Sequence, residues 1–72
     1  MTDEEGARAQ VRRLLLSGDN SLKNRHDGPA RERARRRYEE ALATARAAGL
    51  DAGLVEIIER RLDATDPSAS DV

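Results

Sequence analysis

The supply of large apolar side chains constrains the fold of this 72-residue chain more than any other feature of its sequence. It contains no Phe or Trp and a single Tyr, and Ala is its commonest apolar residue. Ala contributes little burial free energy, and a chain of this length buries only about 60% of its unfolded surface, so the core must be thin. The residues favour one small domain of closely packed helices, to which self-association would add buried area.

Strong helix formers, namely Ala, Arg, Glu and Leu, dominate the chain, and no segment alternates apolar and polar residues as a strand does. We therefore predict an all-α domain of three helices over residues 1–63. The first two helices, about 3–25 and 29–48, are long and antiparallel, and a shorter third covers about 52–63. Residues 64–72 cannot contribute to a core and are predicted to form a disordered tail.

Turn and capping residues set the predicted helix boundaries. Thr2 followed by Glu5 has the spacing of a capping box at the start of the first helix. Residues 26–29, His-Asp-Gly-Pro, form the clearest turn, with Pro suited to the first position of the second helix. Gly49 is the expected C-terminal cap of that helix, and Asp51 the expected N-terminal cap of the third.

Gly18 leaves two interpretations of the first helix. Either the helix ends there with Gly as its C-terminal cap, or it continues to about Arg25 with Gly18 as a point of close helix approach. The polar residues 19–21 favour a break, because their side chains compete for backbone hydrogen bonds. Leu22 favours continuation, because it is in phase with the apolar residues before it, and continuation is the interpretation we prefer.

Apolar and small residues at helical spacing mark the expected core face of each helix. The second helix has a narrow stripe of Ala around Tyr38, and small residues let another helix come close. The predicted packing anchors are Leu14, Gly18, Leu22, Ala34, Tyr38, Ala41, Leu42, Val55, Ile58 and Leu62. Ile57 widens the apolar face of the third helix, which indicates a contact beyond the domain.

No pattern in the sequence indicates catalysis. The single His, His26, lies in the predicted turn, and with no Cys and no second His it has no partner for a metal site. Adjacent carboxylates such as Glu39 and Glu40 diverge around a helix, and no Gly-rich phosphate loop is present. We predict no enzyme activity, no catalytic residues, no cofactor and no metal site.

The chain has no targeting or membrane signal that we can identify. Its first residues are acidic and no apolar segment follows them as in a signal peptide, and no apolar run approaches about 20 residues. We therefore expect a cytoplasmic protein without membrane insertion. The net charge of −1 argues against the whole chain being a general nucleic-acid binder.

A local excess of positive charge precedes and enters the second helix. Its members are Lys23, Arg25, Arg31, Arg33, Arg35, Arg36 and Arg37, opposed only by Asp27 and Glu32. Such a segment can engage phosphates or an acidic protein surface, and Arg33, Arg36 and Arg37 are its candidate partner-binding residues. A solvated face is the preferred interpretation, because Glu39 and Glu40 can pair with Arg35 and Arg36 one turn earlier.

Residues 14–19, Leu-Leu-Leu-Ser-Gly-Asp, followed by Ala34, Tyr38, Ala41 and Leu42 resemble a single tetratricopeptide repeat over roughly residues 11–48. The resemblance implies that Leu14 is the core residue of the first helix and Gly18 its close-contact glycine. It implies second-helix packing by Ala34, Tyr38 and Ala41. The third helix would begin the next repeat or act as a solvating cap.

The tetratricopeptide family binds proteins and peptides, and a lone repeat is expected to dimerise or to dock on another surface. The resemblance therefore implies a non-catalytic protein–protein interaction module or small adaptor with a protein partner, self-associating as a homodimer. The alternative is nucleic-acid or anionic-surface binding through the basic segment Arg31 to Arg37.

Overall fold

The computed structural model describes residues 3–23 and 28–65, which form three α-helices and no strand. Helix α1 spans Asp3–Leu22, α2 spans Gly28–Ala47 and α3 spans Ala52–Thr65. The predicted all-α architecture of two long helices and a shorter third is confirmed. None of these helices is both long enough and apolar enough to cross a membrane.

Helix α1 continues through Gly18, so the interpretation that ended it there is wrong. Gly18 is buried against the aromatic ring of Tyr38 on α2. A Cβ atom added to Gly18 would lie 2.5 Å from Cε1 and 2.9 Å from Cζ of that ring, closer than carbon atoms pack. Only glycine at this position lets the two helices approach around the one large side chain of the α2 stripe.

Helix α2 is central, and both α1 and α3 pack on it. Its buried residues form the predicted stripe: Ala30, Ala34, Tyr38, Ala41 and Ala45. Small residues let neighbouring helices come close, and Tyr38 is the one large side chain of the stripe. The stripe is thus used within one chain, as the core of the domain.

All ten predicted packing anchors lie in or against the core. Leu14, Gly18, Ala34, Tyr38, Ala41 and Ile58 are buried, and Leu22, Leu42, Val55 and Leu62 are partly buried against them. The other buried residues are Val11, Leu15, Ala30, Ala45, Leu50 and Thr65. The core is therefore one contiguous cluster with a single aromatic side chain.

Backbone hydrogen bonds explain the turn between α2 and α3. Gly49 has a positive φ of 65°, and its N–H donates to the carbonyl of Arg46 over 3.1 Å. The N–H of Leu50 donates to the carbonyl of Ala45 over 2.9 Å, which completes a Schellman motif. The predicted positions of Gly49 after α2 and of Asp51 before α3 are confirmed.

Helix α3 extends two residues beyond its predicted end at residue 63. Thr65 is buried, and its Oγ1 donates to the carbonyl of Leu62 over 2.7 Å, so a polar side chain closes the helix with its hydrogen bond satisfied. The cap predicted at Thr2, the turn residues His26 and Asp27, and residues 66–72 of the predicted tail lie outside the described residues.

Candidate functional site

One hydrogen bond and one ion pair, both made by Asp19, link the three helices. The hydroxyl of Tyr38 donates to Oδ1 of Asp19 over 2.6 Å. The other carboxylate oxygen of Asp19 lies 3.5 Å from Nη1 of Arg61 on α3. Asp19 thus accepts a hydrogen bond from α2 and forms a partly exposed ion pair with α3, so it contacts both of the other helices.

The environment of Tyr38 keeps its hydroxyl protonated. Burial raises the pKa of Tyr38 well above its ordinary value, and the hydrogen bond to Asp19 and the charge of that carboxylate raise it further. The charge of Arg61 opposes these effects and lowers the pKa less than they raise it. A neutral phenol that is fully buried is suited to a structural hydrogen bond rather than to proton transfer.

A second region, which we call the α1/α3 face, consists of the neighbouring sides of α1 and α3, two helices that both pack on α2 and make few contacts with each other. It contains a pocket of about 360 Å³. The pocket is lined by Arg8, Val11, Arg12, Leu15, Asp51 and Leu54. Its apolar floor includes the buried residues Val11 and Leu15, and its charged residues come from α1 and from Asp51, which precedes α3. An apolar floor with charged residues at the edge is typical of a binding surface.

The two exposed large apolar side chains of the described residues are Leu16, which is 59% exposed, and Ile57, which is 47% exposed. Leu16 follows Arg12 by four residues, and Ile57 follows Leu54 by three, so each lies on the same side of its helix as a pocket residue. Both side chains therefore extend the α1/α3 face beyond the pocket.

Leu16 and Ile57 also lie at similar positions along the axes of their helices. Asp19 of α1 is paired with Arg61 of α3, and the pocket brings residues near position 12 beside Leu54. Between these two fixed points Leu16 and Ile57 lie at nearly the same height. Both are exposed apolar side chains of this face, and the exposure of Ile57 agrees with its predicted placement outside the core. Sequence reasoning missed Leu16, although its position out of phase with Leu15 and Leu22 was a usable signal.

The charged residues of the α1/α3 face differ in whether they have an ion-pair partner. Arg8 is paired with Glu4 at 3.3 Å, whereas Arg12 has no carboxylate within 4 Å among the described residues. The carboxylate of Asp51 is turned towards the first turn of α3, where its Oδ2 lies 3.0 Å from a Cβ built on Gly53. Arg12 is thus the cation of this face that is available to an acidic group.

The basic residues of α2 are partly neutralised. Arg35 lies 3.7 Å from Glu39, and Arg37 lies 3.8 Å from Glu40. The predicted pair of Arg35 and Glu39 is present, but Glu40 pairs with Arg37 instead of Arg36. All of these side chains are about half exposed, so each pair contributes little to stability.

The three candidate partner-binding residues of α2, Arg33, Arg36 and Arg37, are exposed. Arg33 and Arg36 have no carboxylate within 4 Å in the described part of the chain. The structure does not bring them together with Ile57, which belongs to α3 and to the α1/α3 face. Two separate surfaces result, one apolar with charged edges and one basic.

Among the described residues no group of three or more His, Cys, Asp or Glu side chains could hold a metal ion. His26 lies outside the described residues.

Comparison of the chain with protein-family models, with curated proteins and with solved structures found no match. The resemblance to a tetratricopeptide repeat accordingly stays a prediction from the residues that carry it.

Proposed function

We propose that this protein is a non-catalytic protein–protein interaction module, or small adaptor, that contacts its partner through the α1/α3 face. The observation that carries the proposal is the placement of Leu16 and Ile57. A chain with so few large apolar residues leaves two of them exposed on one face, beside a pocket with an apolar floor. Contiguous apolar surface rimmed by charge is the usual mark of a protein contact.

The α2 stripe packs within the chain itself, which supports the α1/α3 face as the contact surface. Tyr38 and the Ala residues around it are fully buried against α1 and are not available to a partner. The tetratricopeptide resemblance points to the same class of function, since that family binds proteins and peptides. A cytoplasmic location remains part of the proposal.

The experiment is an affinity capture from a lysate of the source cells with matched variants of the full chain. We expect proteins retained by the wild type to be lost with the double substitution Leu16→Glu and Ile57→Glu. They should be kept with Ala43→Glu, which places the same charge on the exposed side of α2. Equal retention by both variants would contradict the α1/α3 face as the contact surface.

A second candidate function, binding of nucleic acid or another anionic surface, is favoured by Arg33 and Arg36. Both are exposed and have no ion-pair partner among the described residues. Such binding would weaken steeply with salt, because each phosphate contact releases counterions. The combined substitution Arg33→Glu and Arg37→Glu should abolish it. Absence of DNA and RNA binding to the wild type at low salt would remove this candidate.

A further inference from the structure

The α1/α3 face carries charges in an order that suits a second copy of the same chain. Along α1 the order is cationic at Arg8 and Arg12, apolar at Leu16 and anionic at Asp19. Along α3 the order is anionic at Asp51, apolar at Ile57 and cationic at Arg61. The two edges of one face are therefore opposite in sign at both ends and apolar in the middle.

These two edges also run in the same direction. The pairing of Asp19 with Arg61 and the shared pocket of Arg12 and Leu54 give nearly the same offset between the residue numbers of α1 and α3. A two-fold axis parallel to the helices places α1 of one copy over α3 of the other without changing the height of any residue.

We propose, as a refinement that depends on the proposed function above, that the occupant of the α1/α3 face is a second copy in this arrangement. Leu16 of each copy then covers Ile57 of the other, and Arg12 lies within about one helical turn of Asp51 of the other. Each contact occurs twice, as an isologous interface requires. The cation that lacks a carboxylate in one chain thereby finds one in the second.

The size of the face indicates a weak dimer. From Arg8 to Asp19 the helix is about 18 Å long, and two packed helices are about 20 Å wide. The area covered per copy is a few hundred Å², which is below that of standard stable interfaces. Dissociation constants of transient complexes, on the order of 10 μM to 1 mM, are expected.

Cysteine cross-linking tests the arrangement cleanly, because the chain has no Cys of its own. Full-length Leu16→Cys and Ile57→Cys chains are oxidised separately and as an equal mixture, with Ala43→Cys as the control on the exposed side of α2. We expect the mixture to give at least about tenfold more covalent dimer than any single variant, because a disulfide needs Cα atoms within about 7 Å.

Three outcomes would overturn the inference. Efficient cross-linking of Leu16→Cys with itself would show that α1 contacts α1, not α3, of the other copy. If Ala43→Cys forms as much covalent dimer as the mixture of Leu16→Cys and Ile57→Cys, the cross-links result from random collisions. A wild-type chain that sediments as a monomer at about 1 mM would exclude the dimer altogether. In the last case the proposed function survives if capture of another protein still depends on Leu16 and Ile57, so the two failures are distinguishable.

Discussion

Helix α1 has two sides that use apolar contact in different ways. On the side towards α2, Gly18 lies against the ring of Tyr38, and no space remains for one added carbon atom. On the side towards α3, Leu16 is more than half exposed, near a pocket lined by both apolar and charged residues. The first side holds the domain together, and the second retains the surface that a partner can cover. Substitutions on the two sides should therefore separate stability from association.

The largest effect is expected from Tyr38→Ala. It removes the one aromatic side chain of the core and leaves a cavity between α1 and α2. Truncation of a buried aromatic residue costs about 3–5 kcal/mol, which approaches the whole stability of a small domain. Urea unfolding followed by circular dichroism measures the loss. A change below about 1 kcal/mol would show that Tyr38 does not anchor the core.

A matched pair of glycine substitutions in α1 tests the close approach. Gly18→Ala should destabilise by about 1–3 kcal/mol, since the methyl group meets the buried ring of Tyr38. Gly6→Ala meets nothing within 4 Å and should stabilise by about 0.5–1 kcal/mol through helix propensity. Thermal melts of both variants give the comparison. Equal shifts in the two melting temperatures would mean that the helices do not touch at Gly18.

Ionisation of Tyr38 should also make the free energy of unfolding depend on pH in the alkaline range. Its pKa is raised in the folded state above the ordinary value of 10.0, so the folded chain retains the phenol proton after the unfolded chain has lost it. Stability is therefore fully present below pH 10 and falls by up to about 1.4 kcal/mol per pH unit above it.

Tyr38→Phe is the control for this pH effect. This substitution should lower the free energy of unfolding by about 1 kcal/mol at neutral pH, because the hydrogen bond to Asp19 is lost. It should also abolish the fall in stability above pH 10. Since the chain has one Tyr and no Trp, ultraviolet titration of the tyrosinate reports on Tyr38 alone. Ionisation of Tyr38 near pH 10 in the folded protein would contradict the buried, neutral phenol.

The sequence predicts the core side of this comparison better than the contact side. Helical spacing identifies Tyr38 and its Ala neighbours, because the repeat of the α-helix alone determines which side chains share one helix face. The link between Asp19 and Tyr38 joins residues nineteen positions apart, and no local pattern reports such a contact. The α1/α3 face likewise depends on how two distant helices pack. Helical spacing in the sequence is enough to single out Ile57. Only the tertiary structure shows that Ile57 lies level with Leu16 along the helices.

The most direct test combines stability and sedimentation for the double substitution Leu16→Glu and Ile57→Glu. Unfolding at low concentration, where a weak dimer is dissociated, should change by no more than about 0.5 kcal/mol, as for other exposed positions. Sedimentation equilibrium at high concentration should show association for the wild type and a monomer for the variant. A variant that associates like the wild type, or one that loses more than about 1.5 kcal/mol of stability, would contradict the assignment of these residues to a contact surface.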